Sequence, residues 1–353
     1  MADLSLAKQC DIIFKTEEVW EESQKITDMY TADAESIKAL AAQQANRVQL
    51  VSSLENPELE DDVVKVVWID NCGDELDADV QDVCDFDGEA AGLNSKNFQL
   101  NSEKSFSFSV DENDLRRNRY SLEEYVARQL LSKTKLMDEY LNAQSLLFLS
   151  ANAGYNKNAG GYTLNGSTLE VPESDYNLDL LVKMVVDAKI NKISDPFLLD
   201  SGTLYQQYLK AELDARNSEG DGDNRRKMLF PTSFDLVGFP TAPVTDSSFL
   251  VNPGSYAFAH RNYNPMEPTS FNPTNGWTQR YSIPSNNIPG LRYDIYYKYE
   301  CSGKRFKHVW YGTVNFGFLL NPVGCDVQVD AGPPIVNDQV SGILSYTKVA
   351  NPE

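Results

Sequence analysis

The side chains most able to do chemistry crowd the stretch Asp70–Glu89, where nine Asp and Glu residues fall within twenty positions. A helix–loop–helix calcium site needs acidic oxygens at its first, third and fifth places, Gly at the sixth and Glu at the twelfth. With Gly88 sixth, Asp85 and Asp87 fall third and fifth, but Val83 and Asn94 take the first and twelfth places. Two essential ligands are missing. A solvated acidic loop is therefore expected, with adventitious cation binding as the alternative.

The other candidate chemistries are thinner. His260 and His308 are the only two histidines, and both sit in aromatic surroundings, Ala259-His260-Arg261 and Lys307-His308-Val309-Trp310. No G-x-S-x-G elbow accompanies them, so structural or surface roles are expected of both. Five cysteines (Cys10, Cys72, Cys84, Cys301, Cys325) make an odd count without Cys-x-x-Cys spacing, which argues against a disulfide framework or zinc ribbon and for a reducing compartment. Cys72 and Cys84 bracket the acidic loop, and Cys301 and Cys325 bracket a late β pair. Small buried residues or hairpin ties are the expectation for each pair. Gly220-Asp-Gly222 and Gly160-Gly161 lack the Lys-Ser/Thr or preceding strand of a phosphate loop. No catalytic residue, metal ligand or cofactor is assigned.

The elements that must position these residues divide by charge. From Met1 to Leu115 the chain carries 27 Asp and Glu against 8 Lys and Arg, which is −19 of a total of −21. The remainder is nearly neutral, so two zones with different tasks are expected, an acidic arm-like region and a packed body. A pI near 4.5 repels nucleic acid at long range, and the basic run Asn224-Arg-Arg-Lys227 is offset by the acidic residues before it. The N-terminal stretch has no basic start leading into an apolar run, and no 18 apolar residues follow one another, so neither a standard signal peptide nor a membrane span is expected. With 41% hydrophobic residues the chain folds rather than remaining disordered, and 353 residues suggest two domains or one with long excursions.

Along the chain, two polar helices with narrow apolar stripes are predicted in the first fifty residues, marginal alone and leaning on something else. Short β-branched or alternating runs at Val63–Ile69, Phe98–Leu100 and Phe106–Val110 predict a long charged β-hairpin between Asn56 and Leu115. Ser121-Leu-Glu-Glu124 is a capping box, with Tyr120 placed to staple against Tyr125. About thirty residues without Pro or Gly follow, a rod on the order of 45 Å. Ala153–Gly161 is read as a flexible break. Helices are then predicted near Leu178–Ile193 and Gly202–Arg216, the latter capped by Asp200 or Ser201. Pro231–Gly290 reads as irregular loops and short strands over a surface. Tyr293–Tyr299 and Lys307–Leu320 read as an antiparallel pair.

This order of polar arm, acidic hairpin, capped spine helix, Gly-rich break, loop-rich region and returning strands resembles the major capsid proteins of tailed phages, the Hong Kong 97-like fold. Cys301 through Trp310 to Cys325, with Cys72 and Cys84, also resemble capsid proteins of Bacteroidetes-infecting, crAss-like phages. The resemblance implies an α+β fold with an N-terminal arm over 1–55, an E-loop over 56–115, a P-domain spine helix over 116–160 and an A-domain over 161–290. Returning P-domain strands over 291–330 and a C-terminal A-domain segment over 331–353 complete it. It implies self-assembly into hexamers and pentamers of an icosahedral shell, in the virion and assembled in the host cytoplasm. The implied partners are the chain itself, a separate scaffolding protein, portal and decoration proteins, and double-stranded DNA packaged without sequence-specific contacts; no membrane partner is implied.

Two alternatives have other consequences: an encapsulin-like compartment shell around protein cargo, or an acidic carbohydrate-active enzyme using two carboxylates with Trp and Tyr platforms. On the shell reading, neutralising Asp77, Asp79, Asp82 and Asp85 together to Asn should change the yield of assembled particles or its dependence on salt. Light scattering across a salt series checks this, and an unaltered assembly curve would count against a role for these charges.

Overall fold

The structure, a computed structural model, describes residues 4–26, 28–44, 49–51, 63–69, 93–111, 121–191, 193, 196–207, 210, 236–238, 246–252, 255–271, 276–302, 305–320 and 342–351. The acidic loop with Cys72 and Cys84, the basic run at 224–227, Gly220, Gly222, Cys325 and the staple residue Tyr120 lie outside these residues.

The predicted spine is helical from Leu122 to Ala151, 30 residues, and is here α3, following α1 (Leu6–Ile26) and α2 (Glu35–Gln44). Ser121 is its N-cap, with extended backbone and a side-chain oxygen that accepts the Glu124 amide at 3.1 Å. This satisfies one of the amides that a helix start leaves without partners. The Glu124 carboxylate turns down the helix to Arg128, 3.0 Å away, and adds an i,i+4 ion pair.

Three sheets accompany the helices. Strands β1 (Gln49–Val51), β2 (Val63–Ile69) and β3 (Leu93–Gln99) form a small antiparallel sheet in that order. The second sheet is built on β14 (Arg305–Leu320). It pairs with β13 (Arg292–Ser302) over Arg305–Thr313, with β4 (Ser102–Asp111) over Lys307–Phe316 and with β10 (Tyr256–Arg261) over Asn315–Leu320. Strands β12 (Gln279–Pro284) and β11 (Thr269–Ser270) extend it beyond β13. The third sheet runs β5 (Thr163–Asn165), β6 (Thr168–Pro172), β15 (Ile343–Val349), β9 (Ser247–Val251), β7 (Phe197–Asp200), β8 (Leu236–Gly238), and α4 (Leu178–Ile190) shares its core.

Two sequence expectations change. The strand expected to return the acidic hairpin, Phe106–Val110, instead belongs to the second sheet, because its alternating Phe106, Phe108 and Val110 face the core that α3 covers. The short strands expected within 231–290 include β9, β10 and β12, but these are largely buried in the sheets rather than laid over a surface. All five residues of β9 are buried, which is why it shows no two-residue alternation.

Residues Trp310, Val314 and Phe316 on one face of β14 pack with Ile295 and Tyr297 against Val126, Leu130, Met137 and Leu141 of α3. Phe108 stacks on Trp310 with centroids 5.3 Å apart. Gly312 lies in the same row, directly opposite Phe106, and a Cβ at Gly312 would overlap the tip of that ring. The glycine thus makes room for the cross-strand Phe. Gly312→Ala is expected to cost about 1–3 kcal/mol through overpacking, measured by urea unfolding. Phe106→Leu in the same chain should recover part of that loss.

Candidate functional site

The buried face of α3 is not purely apolar. Thr134, Asp138, Asn142 and Ser145 descend it at spacings that keep them on one side, and all four are buried. Thr134 bonds back to the Leu131 carbonyl. Asp138 accepts Ser285 Oγ at 2.9 Å, Asn287 Nδ2 at 2.8 Å and the Tyr293 hydroxyl. Asn142 Oδ1 accepts the Ile37 amide at 3.1 Å and the Ser36 hydroxyl, holding the first turn of α2. Ser145 accepts the Tyr256 hydroxyl at 2.8 Å, reaching β10. Asn287 extends the network, since its Oδ1 takes the Ala32 amide at 2.9 Å. Burial pushes the Asp138 carboxyl above the usual range, and the three donors oppose that shift.

Two further buried carboxylates organise the third sheet. Asp187 of α4 meets Lys183 at 2.8 Å, Tyr346 Oη of β15 at 2.8 Å, and the side-chain amides of Asn156 and Asn158 at 3.0 and 2.7 Å. The predicted flexible break over 153–161 is therefore tied to α4 in its middle, not a free linker. Gly160, at φ +61°, is where the loop crosses Lys183, and a Cβ there would come within 3.1 Å of Lys183 Cε. Asp200, expected as a cap, accepts the Gly202 and Tyr205 amides at 2.9 Å each and Ser248 Oγ at 2.6 Å. It thereby starts the short helical stretch at 203–207.

On the face of the second sheet away from α3, Asp294 accepts the amides of Tyr263 and Asn264 at 2.8 and 3.0 Å. The crossing segment is pinned again where Ser282 N donates to Pro265 O at 2.7 Å. Beside it Trp277, Tyr296 and Tyr311 form a run of tilted ring contacts, with Lys298 over Trp277 at 4.8 Å. This is the aromatic region that raised the carbohydrate alternative.

The two histidines occupy separate places. His308 is buried, its Nδ1 2.8 Å from Tyr297 Oη, and that hydroxyl also accepts the Leu4 amide at 3.2 Å. His260 is largely buried beside Phe258, and burial lowers its pKa. Cys10 is a free thiol, and Cys301 lies on β13 opposite Phe306. Among the described residues no three His, Cys, Asp or Glu side chains group as metal ligands would, and no helix is long and apolar enough to cross a membrane. Asp138, Asp187 and Asp294 were missed from sequence because nothing local separates these three from the other Asp and Glu. The one available signal was polar residues recurring on the otherwise apolar face of α3.

At the surface, several large apolar side chains are exposed within this chain. Phe14 of α1 is 69% exposed, and Val182, Val186 and Ile190 of α4, one turn apart, are 60%, 45% and 44% exposed.

No family model matches the sequence, and no curated protein matches it. Solved structures do overlap it. The capsid of cyanophage P-SCSP1u is 9% identical with a TM-score of 0.44, covering 86% of each chain. The cyanophage Pam1 capsid is 12% identical with a TM-score of 0.43, covering 84% of this chain and 87% of that one. A structure titled Mycobacterium phage Che8 is 13% identical with a TM-score of 0.42, covering 85% and 91%. Overlap at this level is partial, and the functional reading rests on the chain's own residues.

Burial raises the Asp294 carboxyl to about 7, against the opposing pull of the Asn264 amide and of Arg280 and Arg292. In the unfolded chain it would ionise near the ordinary value of 3.8. Between these values the native state holds the extra proton, so this group's contribution to stability is greatest at the acidic end and is lost as pH rises toward about 7. Asp138 acts in the same direction. Denaturant unfolding from pH 4.5 to 7.5 should show Asp294→Asn flattening the fall in stability with rising pH; an unchanged slope would remove Asp294 as its source.

Proposed function

We propose that this chain is a shell-forming major capsid protein of a tailed phage with the Hong Kong 97-like layout. Copies would tile an icosahedral shell around double-stranded DNA as hexamers and pentamers. The observation that carries the reading is the role of α3: one capped 30-residue helix supports the N-terminal helices on its flank, the second sheet along its length and the third sheet at its C-terminal end. Exposed Val182, Val186 and Ile190, one turn apart on α4, and separately Phe14 on α1 support assembly, since apolar surface grouped on one helix face suits a contact with another chain.

In this proposal the arm spans 1–55, the E-loop 56–115, the P-domain 116–160 with 291–330, and the A-domain 161–290 with 331–353. The arm and E-loop reach over neighbouring subunits and bury surface that is marginal alone. A crAss-like lineage, and scaffolding, portal and decoration partners, belong to the same proposal.

Expression of the chain, alone and with a scaffolding protein, followed by negative-stain electron microscopy tests it. Closed shells or hexameric rings are expected. A stable monomer under both conditions would overturn the reading, and particles enclosing protein instead of DNA in infected cells would favour the encapsulin-like alternative.

A further inference from the structure

At the seam between α1 and the second sheet, five polar atoms find no hydrogen-bond partner among the described residues: both side-chain polar atoms of Gln9, Oε1 of Gln279, the Tyr281 hydroxyl and Nε1 of Trp310. Gln9, Tyr281 and Trp310 are 0% exposed and Gln279 6%. Buried polar atoms rarely go unpaired, so a group of them on one face calls for a shared partner. Strand pairing brings the sheet members together. Gln279 of β12 lies opposite Tyr297 of β13, and Tyr297 opposite Trp310 of β14, so the three form one row on the face toward the core. Tyr281, two residues along β12 from Gln279, is on the same face, and its hydroxyl lies beside the Trp310 indole without a hydrogen bond joining them. The chain entering α1 crosses this row: Tyr297 Oη accepts the Leu4 amide at 3.2 Å, and Gln279 Nε2 donates to the Leu4 carbonyl. Leu4 and Ile12 pack in one core with Tyr281, Tyr297 and Trp310, and Gln9 falls between them on the buried face of α1.

The unpaired atoms are a mixed set. The Trp310 N–H and Tyr281 O–H donate, whereas the carbonyl oxygens of Gln279 and Gln9 only accept. A cation would be repelled by the indole N–H, and an anion by the two carbonyl oxygens. A small neutral molecule with two donors and two acceptors suits all four groups, and water is that molecule. We propose that the seam binds one water molecule as a fixed part of the fold, accepting from Trp310 Nε1 and Tyr281 Oη and donating to Gln279 Oε1 and Gln9 Oε1. The water joins α1, β12 and β14 through a common partner. It thereby gives a task to the one polar side chain on the buried face of α1 that does not bond within its own helix: Thr16 and Ser23 do, and Gln9 does not. Four directed bonds at one point fix the rotation of α1 about its axis, which its few buried apolar residues leave loosely specified. This site is independent of whether the chain forms a shell.

A density map of the full chain at about 2 Å or better, from crystals or from particles, tests the assignment. One isolated peak is expected within about 2.6–3.2 Å of at least three of the four atoms. Ordered side chains with no peak between them, direct pairing of Trp310 and Tyr281 with the two glutamines, or a peak with the coordination of a metal ion would each overturn it. Urea unfolding supplies a second reading in solution. The midpoint shift caused by Tyr281→Phe should change when Gln9→Leu is also present, because the water couples the two side chains. Equal shifts in the two backgrounds would count against the bridge.

Discussion

The structure depends on satisfying the polar residues buried along α3. An apolar helix face could slide or rotate against a sheet at modest cost, whereas a buried carboxylate or amide left without partners costs about 1–3 kcal/mol or more. Asp138 meets Ser285, Asn287 and Tyr293, Asn142 meets the start of α2, and Ser145 meets Tyr256 of β10. These three rungs therefore each tie the helix to specific partner segments, while Thr134 bonds back within α3. Together they set the register at which the sheet and the N-terminal segment sit on the spine.

The N-terminal helix shows the opposite balance. Its buried face reads Gln9, Ile12, Thr16, Val19 and Ser23, so polar side chains hold three of five positions. Thr16 and Ser23 bond back to their own helix, while neither side-chain polar atom of Gln9 has a partner. Phe14 meanwhile faces out. A helix with this division leans on α3 through the few apolar residues it buries, Ile12 and Val19.

The same logic explains why so little of the candidate chemistry was visible beforehand. His260 and His308 attract attention by rarity, yet their surroundings are aromatic and they sit apart in the sheet. Asp187 and Asp294 attract none, because an Asp four residues after a Lys on a helix, or an Asp within a tyrosine-rich strand, is ordinary as sequence. Apart from Lys183, one turn away, their side-chain and amide partners come from residues 29 to 159 positions away, such as Asn158, Tyr263 and Tyr346. No spacing rule reaches that far.

Local physics made three features readable in advance: the α3 start at Ser121, its uninterrupted 30 residues, and the antiparallel β13–β14 pair, close together in sequence. Each depends on interactions among near neighbours in the chain, a cap, a helical period or a hairpin. Tertiary structure alone decided that β4 joins β14, that β15 enters the third sheet between β6 and β9, and that Asn156 and Asn158 close on Asp187. Those pairings join segments up to about two hundred residues apart. Strand composition says only that an edge will be filled, and the three-dimensional path of the chain decides by which strand.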